Sequence, residues 1–490
     1  MTISLALLGA FFVIAIALGL LAKRGHTMTL EQWSVGGRGF GSVFVFLLMA
    51  GEIYTTFTFL GGSGWAYGKG APALYILCYL TLAYTLSYFL LPAIWRYARG
   101  RGLVSQSDFF IAKYESPAMG LLVSLVGVAA LVPYLVLQLK GLGIIVTEAS
   151  YGAISPVTAM WCGTAALMFY VVVSGVRGSA WTATLKDIMI LVIVVAMGIY
   201  LPQHYHGGYG AMFAAIDAAK PGFLTLPGSG MSQSWFISTV LLTSVGVYTW
   251  PQFFAGVYTA KNENVFRKNA VMLPLYQLVV LFVFFTGFAA TLAVPGLTGT
   301  EADLSLFRIA KLTFAPWAVG MIGAAGLLTA LVPGSMLLIT AATILAKNIF
   351  RVAVPQSSDR TVGLVARSMV PVLALSALYL ALHGGQAIVA LLLMGYNVVT
   401  QLFPALVLSF GERPRISTAA ALSGIVAGEL TVAAVTLSGT SVGTLAPRLP
   451  QFAKDLNIGV IALLVNVTCI LLVTVLMPRR ATRRMPPPAT

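Results

Sequence analysis

A single carboxylate lies within an apolar stretch of this sequence, surrounded by hydroxyl and glycine residues. Glu52 belongs to the segment LLMAGEIYTTFTFLGGSGW, residues 47–65. An ionisable side chain at membrane depth costs about 3 kcal/mol or more, so it marks a candidate functional site. Desolvation penalises the charged form of a buried carboxyl group, which can then bind and release a proton at physiological pH. Glu52 is therefore a candidate functional residue that can carry a proton.

Polar side chains that can bind a small anion occur in the same segment and in other apolar stretches. The hydroxyls after Glu52 belong to Tyr54, Thr55, Thr56 and Thr58. Lys140 is a cation within an apolar stretch and can attract a carboxylate; a structural pair with Glu52, or a position near the interface, is the alternative. The other candidate substrate-binding residues are Tyr248, Gln252, Tyr396, Asn397 and Gln401, and interhelical hydrogen bonding is the alternative for each.

Glycine and proline residues are expected to interrupt several of the helices that carry these side chains. The predicted helix breaks are Gly51, Gly61, Gly62, Gly246, Pro251 and Gly334. Irregular backbone at membrane depth is tolerated only where it faces protein or a watery cavity. Secondary transporters build their binding sites at such breaks.

The composition places the chain among multi-pass membrane proteins. Of its 490 residues, 59% are hydrophobic and only 9% are charged, and the mean hydropathy is +0.92. The net charge of +15 does not indicate nucleic acid, because the cations cluster between apolar spans. The three cysteines form no CxxC pair, and no catalytic or metal-binding motif is present. We expect no enzyme activity, no metal site and no cofactor other than the coupling ion.

Thirteen membrane-spanning helices are predicted from apolar segments of about 20 residues. They are 3–22, 41–66, 71–95, 119–147, 155–175, 180–201, 234–258, 270–294, 316–346, 364–382, 385–409, 417–437 and 457–477. If the N-terminus is outside, 22 of the 29 lysines and arginines are cytoplasmic, Arg177 and Lys186 included, and six are external. Asp187 is then near a helix end. We expect a bacterial inner-membrane protein with a cytoplasmic C-terminus, active as a monomer.

Four motifs, in order along the chain, resemble the sodium:solute symporter family. They are WSVGGRGFG, GVRGSAWTATLKD, TAKNENVFRKNA and ITAATILAKNIFR. GGSGWAYGKGAP and GVRGSAWTA are most similar to the bacterial monocarboxylate permeases of that family. The resemblance implies a single LeuT-like transporter domain, 1–490, in which spans 2–11 form two inverted five-helix repeats. Its parts would be an extra N-terminal helix 3–22, repeats 41–201 and 234–409, two peripheral helices 417–477 and a cytoplasmic tail 478–490.

The same resemblance indicates that the family's sodium sites are degenerate here. Sodium-using members hold one ion between carbonyls of the broken second span and two adjacent hydroxyl residues, whose positions are occupied here by Val332 and Pro333. An acid that contributes to a second ion site in some members is replaced by Ala183. Sodium is a hard cation that needs oxygen ligands. Ser335 could supply one if the alignment shifts slightly.

These observations predict a proton-coupled symporter of small monocarboxylates such as lactate, pyruvate or acetate, with Glu52 in place of the lost sodium site. The first alternative is a sodium-coupled symporter of a monocarboxylate or another small organic solute. The second is a transporter-like membrane sensor. The partners expected are a small carboxylate and the lipid bilayer.

Overall fold

The chain folds into α-helices throughout the part that the structure describes. This computed structural model describes residues 2–23, 29–51 and 54–477. Glu52 and the predicted tail 478–490 lie outside the described residues. Within the described ranges there is no β-strand, only an isolated bridge between Phe40 and Ala260. The all-helical fold class is confirmed.

Twenty-three α-helices are described. In the first half they are α1 (Thr2–Lys23), α2 (Leu30–Val35), α3 (Ser42–Gly51), α4 (Ser63–Lys69), α5 (Tyr75–Arg99), α6 (Gln106–Tyr114), α7 (Pro117–Ala149), α8 (Pro156–His206) and α9 (Tyr209–Ala219). In the second half they are α10 (Gln233–Gly246), α11 (Pro251–Tyr258), α12 (Asn264–Gln277), α13 (Val280–Ala293), α14 (Ser305–Thr313), α15 (Pro316–Ile344), α16 (Arg351–Ala353), α17 (Asp359–His383), α18 (Ile388–Val399), α19 (Phe403–Leu408), α20 (Thr418–Ser438), α21 (Val442–Leu445), α22 (Gln451–Lys454) and α23 (Ile458–Leu476). Short 3-10 segments are Gly36–Arg38, Ala71–Leu74, Val247–Thr249, Gly299–Leu304 and Thr400–Leu402, and π-helical segments are Phe57–Gly62 and Leu345–Phe350.

Ten helical stretches in the described part of the chain are long and apolar enough to cross a membrane. One of them, α8, joins the predicted spans 155–175 and 180–201 across a bend at Gly175, where φ is 58° and ψ is −160°. A Cβ atom at Gly175 would lie 2.7 Å from the carbonyl oxygen of Trp33, so the bend requires glycine. The number of thirteen spans stays a prediction.

Two of the predicted spans are pairs of short helices rather than single ones. In span 41–66, α3 is described as far as Gly51, Tyr54 and Thr55 form a bend, and a π-helical segment begins at Phe57. In span 234–258, α10 ends at Gly246 and α11 begins at Pro251, with Trp250 extended between them. These interruptions leave backbone groups without intrahelical partners in the interior of the protein.

The predicted breaks at Gly61, Gly62 and Gly334 are wrong. Gly61 and Gly62 end a π-helical segment that runs directly into α4, so the backbone widens without breaking. Gly334 lies inside α15, which continues through Pro333 as well. A proline removes one intrahelical hydrogen bond, and a helix surrounded by other helices tolerates that loss.

Helix α15 lies at the centre of the bundle. The most apolar 18 residues of this helical stretch are all buried, and α15 packs against α1, α7 and α8. By contrast, α20 and α23 pack mainly on each other. Only 33% of the most apolar 18 residues of α20 are buried, and only 22% of those of α23. Helix α15 therefore lies in the core of the bundle, whereas the last two long helices lie at its periphery.

Candidate functional site

Both interrupted helices contribute to a small internal cavity. Phe57 follows the first interruption, and Val247, Trp250, Gln252 and Phe253 surround the second. The remaining lining residues are Tyr79, Leu80, Tyr84, Tyr134, Leu392 and Tyr396. The cavity has a volume of about 30 Å³. In this state it has space for only a few atoms.

The cavity wall offers neutral hydrogen-bonding groups. None of the described residues that line it is a lysine, arginine, histidine, aspartate or glutamate. The Trp250 Nε1 and Gln252 Oε1 atoms are buried and have no hydrogen-bond partner among the described residues. Leaving such groups unpaired costs about 1–3 kcal/mol each, and a ligand that pairs with them recovers that energy.

The indole of Trp250 is held in place by aromatic neighbours at the start of α11. Its ring lies 5.3 Å from the rings of both Tyr134 and Tyr396, edge-on in each case. Trp250 is the residue that precedes Pro251, the first residue of α11. A helix N-terminus carries partial positive charge, so a donor placed here favours an anion.

The threonines next to the first interruption bond mainly to the backbone around it. Thr55 Oγ1 accepts a hydrogen bond of 3.1 Å from the backbone N–H of Phe57. Thr58 Oγ1 donates to the carbonyl of Thr55 over 3.2 Å and accepts from the N–H of Thr55 over 3.1 Å. These hydroxyls therefore replace hydrogen bonds that the interrupted helix lacks.

The two other hydroxyl residues of this segment reach neighbouring helices. Thr56 Oγ1 donates to Gln138 Oε1 on α7 over 2.8 Å. Tyr54 donates to the carbonyl of Tyr276 on α12 over 3.3 Å. None of the four predicted hydroxyl residues lines the cavity, so the structure does not bring them to the site that contains Trp250.

Of the five polar side chains predicted in the later interrupted helices, Gln252 and Tyr396 line the cavity. Tyr248 does not, because its hydroxyl donates to the carbonyl of Ala83 on α5.

Asn397 and Gln401 also lie away from the cavity. Gln401 Nε2 donates to the carbonyls of Asn397 and Gly459, over 3.1 Å in each case. Asn466 Nδ2 on α23 donates in turn to the Gln401 carbonyl over 2.7 Å. Asn397 lines a separate cavity of about 610 Å³, which Asp455 also lines. Gln401 therefore connects the end of α18 to α23, as the alternative of interhelical bonding expects, whereas the Asn397 Oδ1 atom has no hydrogen-bond partner among the described residues.

Lys140 stabilises a connection between helices. Its Nζ donates to the carbonyls of Gly384 and Gln386, over 2.5 and 3.0 Å. Both acceptors lie in the segment between α17 and α18. The structure brings Lys140 neither to the cavity nor to the first interruption.

The residues expected at the degenerate sodium site lie beside the first interruption or are buried near it. A Cβ atom built on Gly51 would lie 3.6 Å from Val332 Cγ1. Pro333 and Ala183 are buried, and neither side chain has an oxygen.

Ser335 is the hydroxyl that the sodium-coupled alternative requires. Its Oγ lies 2.5 Å from Ser179 Oγ and donates to the carbonyl of Val332 over 2.6 Å. The hydroxyl is therefore occupied by contacts within the protein.

A lysine occupies the space beside the first interruption. Lys186 on α8 is fully buried, and its Nζ donates to the carbonyls of Gly51 and Tyr54, over 3.2 and 3.0 Å. Nζ also lies 2.9 Å from Oδ1 of Asp187, whose side chain is 5% exposed. The ammonium contacts backbone oxygens on both sides of the interruption.

This placement corrects the interpretation of Lys186 as a cytoplasmic loop cation and of Asp187 as an interfacial acid. Both are buried inside the bundle. The sequence held a usable signal, because both residues lie within the predicted span 180–201. A charged pair inside an apolar span is a candidate functional site by the same argument that selected Glu52.

A further buried acid connects distant parts of the chain. Asp108, in the first turn of α6, accepts from Lys347 Nζ at 2.7 Å and from Asn348 Nδ2 at 2.8 Å. The backbone N–H groups of Val104 and Ser105 also donate to it, over 2.9 and 3.1 Å. Burial alone raises the pKa of Asp108, but the Lys347 ammonium and these hydrogen bonds lower it below its usual range.

Asp303, in the segment between α13 and α15, is another buried acid that connects distant parts of the chain. Its Oδ2 accepts from the backbone N–H of Ile388, the first residue of α18, over 3.1 Å. Burial raises the pKa of Asp303 to about 6, although the Ile388 N–H and the Lys140 ammonium lower it in part.

Comparisons with known proteins identify a family and similar relatives. The model of the sodium:solute symporter family matches residues 33–428. The chain is 58% identical over 481 residues to the uncharacterized symporter YhjB of Bacillus subtilis, and the match covers 98% of each protein. It is 29% identical over 419 residues to a monocarboxylate transport permease protein of Rhizobium johnstonii, covering 82% of this chain and 83% of that protein.

A solved structure shows the same fold. It is that of a Na⁺-coupled sialic acid symporter in a substrate-bound, outward-open state, with a TM-score of 0.78 and 18% identity. The match covers 97% of this chain and 98% of the other. The LeuT-like fold implied by the sequence motifs is thus confirmed. Because the family model spans most of the chain, this protein belongs to the sodium:solute symporter family.

Proposed function

We propose that this transporter imports small monocarboxylates of the lactate, pyruvate or acetate type by proton symport with alternating access. Its family membership makes it a membrane transporter of a small molecule. The substrate class and the coupling ion are the proposal. The observation that carries it is the chemistry of the cavity between the interrupted helices, supported by the side chains that replace the family's sodium ligands.

The cavity suits a small anion that must both bind and leave. The Trp250 N–H at the start of α11 can donate to a carboxylate, and Gln252 Oε1 can accept from a hydroxyl such as that of lactate. Transport requires binding that is strong enough for entry but weak enough for release. Neutral donors at a helix N-terminus meet that requirement better than a buried cation would. The monocarboxylate permease among the relatives supports the same class.

We assign the proton as the coupling ion because the positions of the family's sodium ligands carry no side-chain oxygen here. Val332, Pro333 and Ala183 offer no side-chain oxygen, and Ser335 is bonded to Ser179. Sodium prefers oxygen ligands, so its site is incomplete. Symport of one proton with one monoanion is electroneutral and can be driven by a pH gradient.

The substrate assignment is tested by labelled lactate and pyruvate binding to purified Trp250→Phe and Gln252→Leu proteins. A hydrogen bond to a charged group contributes about 1.5–3 kcal/mol, so Trp250→Phe should weaken binding by about 10- to 100-fold. Trp161→Phe is the matched control, because Trp161 is exposed on α8 and lies outside the cavity. Wild-type affinity in Trp250→Phe would exclude this cavity as the site.

The coupling assignment is tested by uptake into proteoliposomes under an imposed pH gradient and, separately, under a sodium gradient. We expect accumulation that follows the inward proton gradient and does not require sodium. Uptake that follows sodium and ignores pH would replace this proposal by the sodium-coupled alternative. In that alternative the backbone carbonyls of Gly51 and Tyr54 would be sodium ligands.

We further propose a bacterial inner-membrane protein with an external N-terminus and a cytoplasmic C-terminus, active as a monomer. The asymmetric distribution of lysine and arginine supports this orientation. Labelling of single cysteines by a membrane-impermeant maleimide in intact cells tests it. Labelling at a site in the 202–233 segment and protection at Arg413→Cys is the expected pattern.

A further inference from the structure

The interruption of the second predicted span creates a site for a cation. Tyr54 and Thr55 form a bend after α3, and carbonyl groups that leave the regular helical hydrogen-bond pattern carry partial negative charge. The carbonyls of Gly51 and Tyr54 both point at one atom, Lys186 Nζ. The site thus already contains a cation that belongs to the protein.

The ammonium group of Lys186 is surrounded by oxygen atoms. An ammonium has three N–H donors. Three oxygens lie within 3.2 Å of Nζ, namely the carbonyls of Gly51 and Tyr54 and Oδ1 of Asp187. The neighbouring side chain of α15, Val332, is apolar and lies across from Gly51. Lys186 therefore provides in this place the positive charge that a bound metal ion would otherwise provide.

Asp187 is less well satisfied than Lys186. Its carboxylate is at ion-pair distance from Nζ, yet neither oxygen receives a hydrogen bond of good geometry from any described residue. Among the described residues, the other titratable groups near it are Tyr54 on the interrupted span and Tyr276 on α12. Both are neutral at physiological pH. A buried charged carboxylate without hydrogen bonds is costly, and protonation removes that cost.

We propose that Asp187 binds the transported proton and that Lys186 transmits its protonation state to the interrupted helix. This inference rests on the proposed proton symport. Proton uptake from the external side forms an O–H bond on Asp187, and release to the cytoplasm breaks it. When Asp187 is protonated, the Lys186 ammonium loses its counter-charge and binds the two carbonyls more strongly. When Asp187 is ionised, it competes with those carbonyls for the same ammonium.

Charge balance explains why proton and substrate would move together. In the empty state Lys186 is a cation and Asp187 an anion, so this pair contributes a net charge of zero. With a proton on Asp187 and a monocarboxylate in the cavity, the net charge is again zero. A proton alone leaves one positive charge, and a substrate alone leaves one negative charge. An uncompensated charge inside a membrane is expensive, so only the two neutral states cross readily.

Asp187→Asn tests the proposal, because the amide imitates a permanently protonated acid. In proteoliposomes with an inward proton gradient of about one pH unit, wild type can accumulate substrate by up to about tenfold. Asp187→Asn should reduce that accumulation ratio to about one while retaining exchange of labelled for unlabelled substrate. Asp187→Glu should restore accumulation. Exchange by Asp187→Asn should also lose its pH dependence.

Glu429→Gln is the matched control, since Glu429 is a partly buried acid on the peripheral helix α20, and one of its oxygens has no hydrogen-bond partner among the described residues. It should accumulate substrate as wild type does. Glu52→Gln separates the two candidate carriers. Loss of accumulation with retained exchange in Glu52→Gln, together with wild-type accumulation in Asp187→Asn, would overturn this inference and return the role to Glu52.

Transport by wild type separates a failure of the proposed function from a failure of the role of Asp187. Sodium-driven uptake by wild type would refute the proposed function itself. Proton-driven uptake by wild type that Asp187→Asn preserves would refute only the role of Asp187. If Asp187→Asn does not fold, proton flux measured with a pH-sensitive dye in Asp187→Glu and Lys186→Arg proteins decides. If proton flux in both variants depends on pH as it does in wild type, the proposed role of Lys186 and Asp187 is refuted.

Discussion

Replacing Asp108 by asparagine tests how the structure fastens α6 to the end of α15. The substitution keeps the shape of the side chain and removes its charge. Asp108 is bonded to Lys347 and Asn348, which lie in the π-helical segment Leu345–Phe350 after α15. It also accepts from the N–H groups of Val104 and Ser105. One side chain therefore connects two segments that are far apart in the sequence.

The expected loss of stability follows from these contacts. Hydrogen bonds to a charged group contribute about 1.5–3 kcal/mol each, and removing one partner of a buried ion pair costs about 3–5 kcal/mol. The Lys347 side chain is 25% exposed, so water partly compensates its ammonium. We therefore expect Asp108→Asn to lower the free energy of unfolding by about 2–4 kcal/mol, near the lower end of these ranges.

Unfolding of the purified protein in mixed micelles, followed as sodium dodecyl sulfate is increased, measures this loss. Asp217→Asn is the control, because Asp217 is exposed on α9, and its change should stay within about 0.5 kcal/mol. In a double-mutant cycle with Lys347→Met, the coupling energy should be about 1 kcal/mol or more. Additive effects of the two substitutions would refute the ion pair as the source of stability.

The pH dependence provides an independent check. Because the pKa of Asp108 is lowered in the folded protein, its ionised form stabilises the fold above about pH 4, where the unfolded chain is also ionised. That stabilisation is lost as the pH falls through the lowered folded-state pKa. The difference between wild type and Asp108→Asn should therefore shrink in acid. A difference that grows as the pH falls would contradict the lowered pKa.

Three further predictions concern other parts of the fold. Burial raises the pKa of Asp303 to about 6, so its protonated form stabilises the fold. As the pH rises from about 4 to 6, the free energy of unfolding of wild type should fall by up to about 3 kcal/mol relative to that of Asp303→Asn. Unfolding measured at each pH tests this, and parallel curves for the two proteins would contradict it. Lys140→Met should lower stability by about 1–3 kcal/mol and leave lactate affinity unchanged, because Lys140 bonds to loop carbonyls; lost affinity would place it at the binding site. Gly175→Ala should destabilise by at least about 1 kcal/mol, since φ is positive there, and a neutral effect in thermal unfolding would refute the bend.

The helices could be predicted from the sequence because hydropathy and helix-breaking residues act locally. Gly246 ends α10 and Pro251 begins α11, as expected. Gly334 was misleading because its effect depends on the surroundings. Inside α15, packing on all sides keeps the helix continuous despite Pro333. A glycine or proline indicates where a helix can break, and the neighbouring helices determine whether it does.

The candidate site was less predictable because its geometry depends on packing between distant segments. The hydroxyls of Thr55 and Thr58 had suitable chemistry for a substrate, but they bond to the interrupted backbone beside them. Such local hydrogen bonds always compete with long-range roles for these residue types. Lys186 shows the converse, since only the packing of α8 against the interruption brings its ammonium to Gly51. No spacing rule in the sequence indicates that contact.

The distance between the proposed proton site and the cavity is short along the chain. Lys186 binds the carbonyl of Tyr54, and Phe57, three residues later, lines the cavity. Thr55 connects the two, because its side chain accepts from the Phe57 N–H. A change in the contact at Tyr54 must therefore move the cavity wall or break that hydrogen bond. In the proposed mechanism a proton on Asp187 thus acts on the substrate through one interrupted helix, and a relay across the rest of the bundle is unnecessary.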